Sequence, residues 1–65
     1  MKLVVHKEDD ALYLRLDDSE IIESEEVSEG IILDYNADGK IVGIEVLYIS
    51  QRSPNSLHQI LLETT

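Results

Sequence analysis

The chain has no cysteine, no tryptophan and no phenylalanine, a single proline, and only five lysine and arginine residues among 65. Without cysteine it can form neither disulfides nor thiolate metal sites. Without phenylalanine or tryptophan, Tyr13, Tyr35 and Tyr48 are the largest side chains available to a core. Five basic residues against fourteen acidic ones leave a net charge of −9, which opposes binding to nucleic acid phosphates or to an anionic membrane. No run approaches the length of a membrane-spanning helix, and Met1 to Lys7 lacks the apolar core of a signal peptide. The expectation is an acidic cytoplasmic protein with no nucleic acid and no membrane among its partners.

A chain of this size holds one domain, spanning 1–65, and buries only about 60% of the surface exposed by its unfolded form. Such small cores usually lean on disulfides, a metal or a partner subunit. Cysteine is absent, and His6 and His58 are too few and too far apart for a zinc site. No cofactor is expected, and the remaining support is self-association, with a homo-oligomer expected and a dimer its leading form.

The hydropathy pattern predicts an α+β fold, a small antiparallel β-meander of four to five strands with one C-terminal helix. Leu3 to His6 is apolar, Lys7-Glu8-Asp9-Asp10 is a polar break, and Leu12, Leu14 and Leu16 then alternate with Ala11, Tyr13 and Arg15. These are strands at about 2–7 and 11–16. A third, irregular or edge strand is expected at 20–28, where Ile21, Ile22 and Val27 stand among carboxylates. The strongest signals are 30–35 and 40–47, β-branched and apolar at nearly every position, flanking the turn Asn36-Ala37-Asp38-Gly39. Both strands read as apolar on both faces, so the sheet should be covered twice. One cover is a helix at about 54–62, with Ser53 as N-cap, Pro54 in its first turn, and Leu57, Ile60 and Leu61 on one face. The other is a second subunit.

One stretch matches a chemical signature residue for residue. Asp34-x-Asn36-x-Asp38-Gly39-x5-Glu45 has the spacing of an EF-hand calcium loop, with Ile41 suited to position 8. That loop needs a helix on each side, and here both flanks read as strands. A three-residue turn at Ala37-Asp38-Gly39 sets Asn36 opposite Lys40, Asp34 opposite Val42 and Ile31 opposite Glu45. Asp34 and Glu45 then fall on different faces, and the stretch reads as a hairpin turn. In this register Ile32, Val42, Ile44 and Val46 share one face, and Ile31, Leu33, Tyr35, Ile41 and Glu45 the other. Glu45 is the odd member, explained either by pairing with Arg15, Lys40 or Arg52 at a sheet margin or by a functional site.

The remaining candidates are weaker. Asp17 to Glu29 holds seven acids and no base. A solvated face accounts for such a run, and a docking surface for a basic protein partner, formed by Glu20, Glu23, Glu25, Glu26 and Glu29, is the functional alternative. Ser50, Ser53 and Ser56 lie near His58, but capping explains them more simply than nucleophilic catalysis. Gly30, Gly39 and Gly43 fit turns and strands and form no phosphate-binding loop. No convergent acid, base and nucleophile can be named, so no catalytic residue is assigned and an enzyme is not expected.

The run Asp10-Ala11-Leu12-Tyr13-Leu14-Arg15-Leu16, then Ser24-Glu25-Glu26-Val27, Gly30-Ile31-Ile32-Leu33-Asp34-Tyr35 and Asp38-Gly39-Lys40-Ile41-Val42-Gly43-Ile44-Glu45-Val46-Leu47, resembles the YuzE-like proteins, domain of unknown function 2283. The resemblance spans about residues 3 to 50 in four ordered blocks. It implies consecutive antiparallel strands with helix at the C-terminal end, and it carries over no catalytic or ligand residue. Tyr48-Ile49 and Ser28-Glu29 depart from the family's usual residues, the first making the sheet-to-helix junction more apolar. Some relatives are encoded beside small basic toxin-like proteins, so the resemblance suggests an antitoxin or partner-binding role. The sequence reading therefore favours a non-enzymatic oligomeric interaction module, with a small-ligand or divalent-metal-binding protein using Asp34, Asn36, Asp38 and Glu45 as the alternative.

Overall fold

Alternating and β-branched apolar segments become five strands of one sheet in the computed structural model, which describes residues 1–52. They are β1 (Lys2–His6), β2 (Ala11–Arg15), β3 (Glu23–Ser28), β4 (Ile31–Tyr35) and β5 (Ile41–Leu47), followed by a helical turn α1 (Ile49–Arg52). Every pairing is antiparallel, and the spatial order is β1-β2-β5-β4-β3. The α+β class with its antiparallel sheet and C-terminal helix is as expected, and strands fall within a few residues of the expected bounds. The order refines the meander. β3, β4 and β5 follow one another as hairpins, but β2 pairs with β5, so the segment after β2 must travel to the far edge before β3 begins.

That crossing is held by backbone and side chain together. Leu16 N–H donates to Val42 O (2.8 Å) where the chain leaves β2, and Ile22 N–H donates to Tyr35 O (2.8 Å) where it enters β3. Between them Arg15 donates from Nε to Asp17 O (2.6 Å) and from Nη2 to Ser19 O. Val42, at one of these anchor points, is fully buried.

The register of the β4–β5 hairpin differs from the expected one. Near the turn the expectation holds: Asn36 N–H donates to Lys40 O (2.9 Å), Gly39 N–H to Asn36 O (3.0 Å), and Gly39 adopts φ +76°. Tyr35 then pairs with Ile41 and Asp34 with Gly43, so one extra residue of β5 is accommodated in a bulge. Beyond it Ile32 faces Glu45, and Ile31 faces Val46. A bulge of one residue exchanges the faces of everything that follows. Asp34 opposite Val42 and Ile31 opposite Glu45 are thereby corrected, and so are the face groupings built on them.

The corrected register sorts the sheet into two unlike faces, because directly paired residues point the same way. One face carries the row Leu3, Leu14, Ile44, Leu33 and the row Val5, Leu12, Val46, Ile31, ended at β3 by Glu25 and Ser28. The opposite face carries Val4, Tyr13, Glu45, Ile32, Glu26 and the adjacent row Lys2, Arg15, Gly43, Asp34, Ser24. The hairpin is therefore apolar on one face and mixed on the other, not apolar on both.

The expected tyrosine core is not formed among the described residues. Ala11, Val42 and Ile49 are its buried apolar residues, whereas Tyr13 and Tyr35 are half-buried and Tyr48 is exposed. All six residues of β3 are exposed, as suits an edge strand, and a register shift between Glu26 and Ser28 further disrupts its pairing.

The start of α1 is also set by a residue outside it. Asp10, at φ +53°, accepts Ile49 N–H at its carbonyl (3.2 Å), and its carboxylate accepts Ser50 N–H (3.0 Å) and Ser50 Oγ–H (2.7 Å). Arg52 ties the turn back to the sheet through Leu47 O (3.1 Å) and Glu29 O (2.6 Å). Helical structure thus begins four residues before the expected N-cap Ser53. The expected helix at 54–62 lies outside the described residues, as do Ser53, Ser56 and His58. Asp10→Gly keeps the left-handed backbone accessible while deleting the cap. It is expected to lower stability to denaturant by about 1 kcal/mol and to abolish hydrogen-exchange protection at the Ser50 amide.

Candidate functional site

The polar residues of the mixed face meet over Gly43. Tyr13 stands on β2 beside Glu45, yet its phenol reaches across β5 to β4, where its hydroxyl donates to Asp34 Oδ2 (3.1 Å). Arg15 Nη1 donates to the same phenol oxygen (3.2 Å), and Ser24 Oγ on β3 donates to Asp34 Oδ1 (2.6 Å). The path needs a strand residue without a side chain. A Cβ on Gly43 would press into the Tyr13 hydroxyl and would lie 2.9 Å from Asp34 Oδ2. Side chains of three strands, β2, β4 and β3, are thus linked across Gly43 of β5 in one polar ladder, with Asp34, only 8% exposed, at its centre. Both Asp34 oxygens have hydroxyl donors, which satisfies a buried carboxylate that has no direct ion pair among the described residues.

The calcium-like residues are not assembled into a loop around an ion. Asp34 is committed to Tyr13 and Ser24. Asn36 turns its Oδ1 inward to accept the amides of Asp38 (2.9 Å) and Lys40 (3.0 Å), closing the hairpin turn. Asp38 is exposed at the tip. Glu45 shares a face with Asp34, contrary to the expected parity, because the bulge turned both to the same side. Among the described residues, no group of three or more histidine, aspartate or glutamate side chains is placed to hold a metal ion.

The acids proposed for partner binding take a simpler arrangement. Glu20, Glu23, Glu25, Glu26 and Glu29 are all exposed, along β3 and its flanks. Glu25 accepts a long bond from Tyr35 Oη (3.4 Å), and Glu26 accepts Gly30 N–H (3.3 Å) in the β3–β4 turn. Removal from water, with Glu25 and then Glu23 nearby, raises the Tyr35 phenol above its ordinary pKa. His6 is exposed and lines an open depression of about 360 Å³ with Val5, Lys7, Glu8 and Asp9. Ser50 donates its hydroxyl to the Asp10 carboxylate as part of the α1 cap, and His58 lies outside the described residues.

Two positions escaped the sequence reading. Asp10 resembled part of a polar break, and nothing in its neighbourhood marks it as a cap for a turn forty residues away. Gly43 carried a signal, since a glycine inside a β-branched run marks a bulge or a close approach.

The model of one protein family, described as "Protein of unknown function (DUF2283)", matches residues 2–50. No curated protein and no solved structure matches the chain.

The ladder predicts that Gly43→Ala destabilises the protein by about 1–3 kcal/mol through overpacking, measured by denaturant unfolding. Tyr13→Phe should cost less in the Gly43→Ala background than alone, since the displaced hydroxyl has already lost its bonds. Asp17 gives a pH prediction. Hydrogen bonding from the Ser19 side chain and amide holds its carboxyl below the ordinary aspartate range, with Arg15 and Lys40 adding attraction. A depressed folded pKa means that the stabilising contribution is present above the ordinary value and disappears as pH falls through the depressed one. An NMR titration should place the Asp17 midpoint below the ordinary range and show it rising in Ser19→Ala.

Proposed function

The chain belongs to the DUF2283 family, and on that premise we propose that it is a non-enzymatic, oligomeric protein-interaction module. The observation that carries this reading is the apolar face. None of its eight residues Leu3, Leu14, Ile44, Leu33, Val5, Leu12, Val46 and Ile31 is buried, and Leu3 is 45% exposed. They form two contiguous rows across four strands. Monomeric proteins rarely expose continuous apolar patches of this kind, and burial at about 25 cal/mol per Å² rewards covering them. A second copy placing the same face against the first would do so with twofold symmetry.

A basic protein is the second partner in this reading. Net charge −9 supports electrostatic attraction to it, and the exposed acids Glu20, Glu23, Glu25, Glu26 and Glu29 give that attraction a surface. An antitoxin neutralising a small basic toxin is its specific form. Among the described residues no helix is long and apolar enough to cross a membrane.

Sedimentation equilibrium at micromolar concentration tests the oligomer. The expected mass is twice the 7.4 kDa of the chain. Leu33→Lys should return it to that of the single chain without loss of the β-sheet circular dichroism, because the half-exposed position lets a lysine reach water in the monomer. A wild-type chain that sediments as a monomer contradicts the proposal.

A further inference from the structure

Glu45 is set among partners that do not suit it. It lies on the central strand β5, in the row Val4, Tyr13, Glu45, Ile32, Glu26 that crosses all five strands. It is half-buried, and it makes no hydrogen bond or ion pair among the described residues. The explanation by pairing at a sheet margin therefore fails. Arg15 is engaged with Tyr13, Asp17 O and Ser19 O, and Arg52 with Leu47 O and Glu29 O. None of the chain's five basic residues, Lys2, Lys7, Arg15, Lys40 and Arg52, meets Glu45 in an ion pair.

A partly desolvated carboxylate without a partner is unfavourable, and glutamate is a poor choice for a central strand between Tyr13 and Ile32. The position makes sense once a cation arrives from outside the chain. We propose that the Glu45 row is the seat for a lysine or arginine side chain of a basic partner protein, on the face opposite the apolar one. The Glu45 carboxylate receives the charged head, and arginine suits it best because a guanidinium can bridge both carboxylate oxygens. Val4 and Ile32 supply apolar surface for the aliphatic stem, and the half-exposed Tyr13 ring adds attraction for a cation. A second copy of this chain is not the occupant here, because the proposed dimer seats it on the opposite, apolar face and it brings acids in excess of bases to this one.

The inference rests on the proposal that the chain binds a basic partner, and it moves the centre of that contact from the β3 edge to the middle of the sheet. The test uses the full chain and a blocked tetra-arginine peptide at low ionic strength, followed by amide chemical shifts and affinity. The largest shifts are expected at Tyr13, Ile32 and Glu45. Glu45→Gln should weaken binding by about tenfold, while Glu25→Gln changes it less than about twofold. The unfolding midpoint of Glu45→Gln should be unchanged or raised, because the substitution removes an unpaired charge. Shifts confined to residues 20–29, or equal effects of the two substitutions, overturn the Glu45 seat and leave the acidic edge as the docking surface. No binding by the wild-type chain overturns the seat and the basic-partner reading together. The wild-type shift map decides between these outcomes even if a variant folds poorly.

Discussion

One extra residue at the start of β5 sets the character of the whole sheet. Because Ile41 and Gly43, rather than Ile41 and Val42, answer successive residues of β4, every later side chain of β5 changes sides relative to a regular hairpin. This brings Ile44 and Val46 into line with Ile31 and Leu33, and it places Gly43 beside Asp34 on the other face. The apolar rows and the polar ladder are two consequences of the same insertion. Without it, Asp34 would face Val42, whose side chain would occupy the space the Tyr13 phenol needs.

The two faces have different physical problems. On the mixed face, burial of Asp34 is compensated by the hydroxyls of Tyr13 and Ser24, and Arg15 connects that network to the segment crossing from β2 to β3. Packing and topology are therefore coupled: the residue that braces the phenol also holds the crossing chain. On the apolar face the side chains are neighbours of one another but remain half-exposed, so the hydrophobic contribution available from them is only partly realised within residues 1–52. Glu45 presents the complementary case, a half-buried charge with no hydrogen bond or ion pair among the described residues. These two features, the half-exposed apolar rows and the unpaired Glu45 among the described residues, are the observations on which the proposed association rests.

The strands were legible in the sequence because period-two alternation and β-branched runs are local signals, as in Ala11 to Leu16 and Ile41 to Leu47. The edge position of β3 was legible from its carboxylates, and the turn from Gly39. The bulge was not. Ile41 and Val42 are both β-branched and apolar, so no polar residue marks where the alternation slips, and the face assignment of Glu45 failed with it. The order β1-β2-β5-β4-β3 and the Asp10 cap depend on contacts between distant segments, which periodicity does not encode. The Tyr13–Asp34 contact was hidden for the same reason, although Gly43 was its trace.

The register is thus the claim on which the rest stands, and cross-strand backbone nuclear Overhauser contacts in the isotopically labelled chain test it most directly. In this register, contacts of Asp34 with Gly43 and of Ile32 with Glu45 are expected across the β4–β5 pair. Contacts of Asp34 with Val42 and of Ile31 with Glu45 would contradict it, returning Glu45 to the face of Ile31 and dissolving both the apolar rows and the polar ladder.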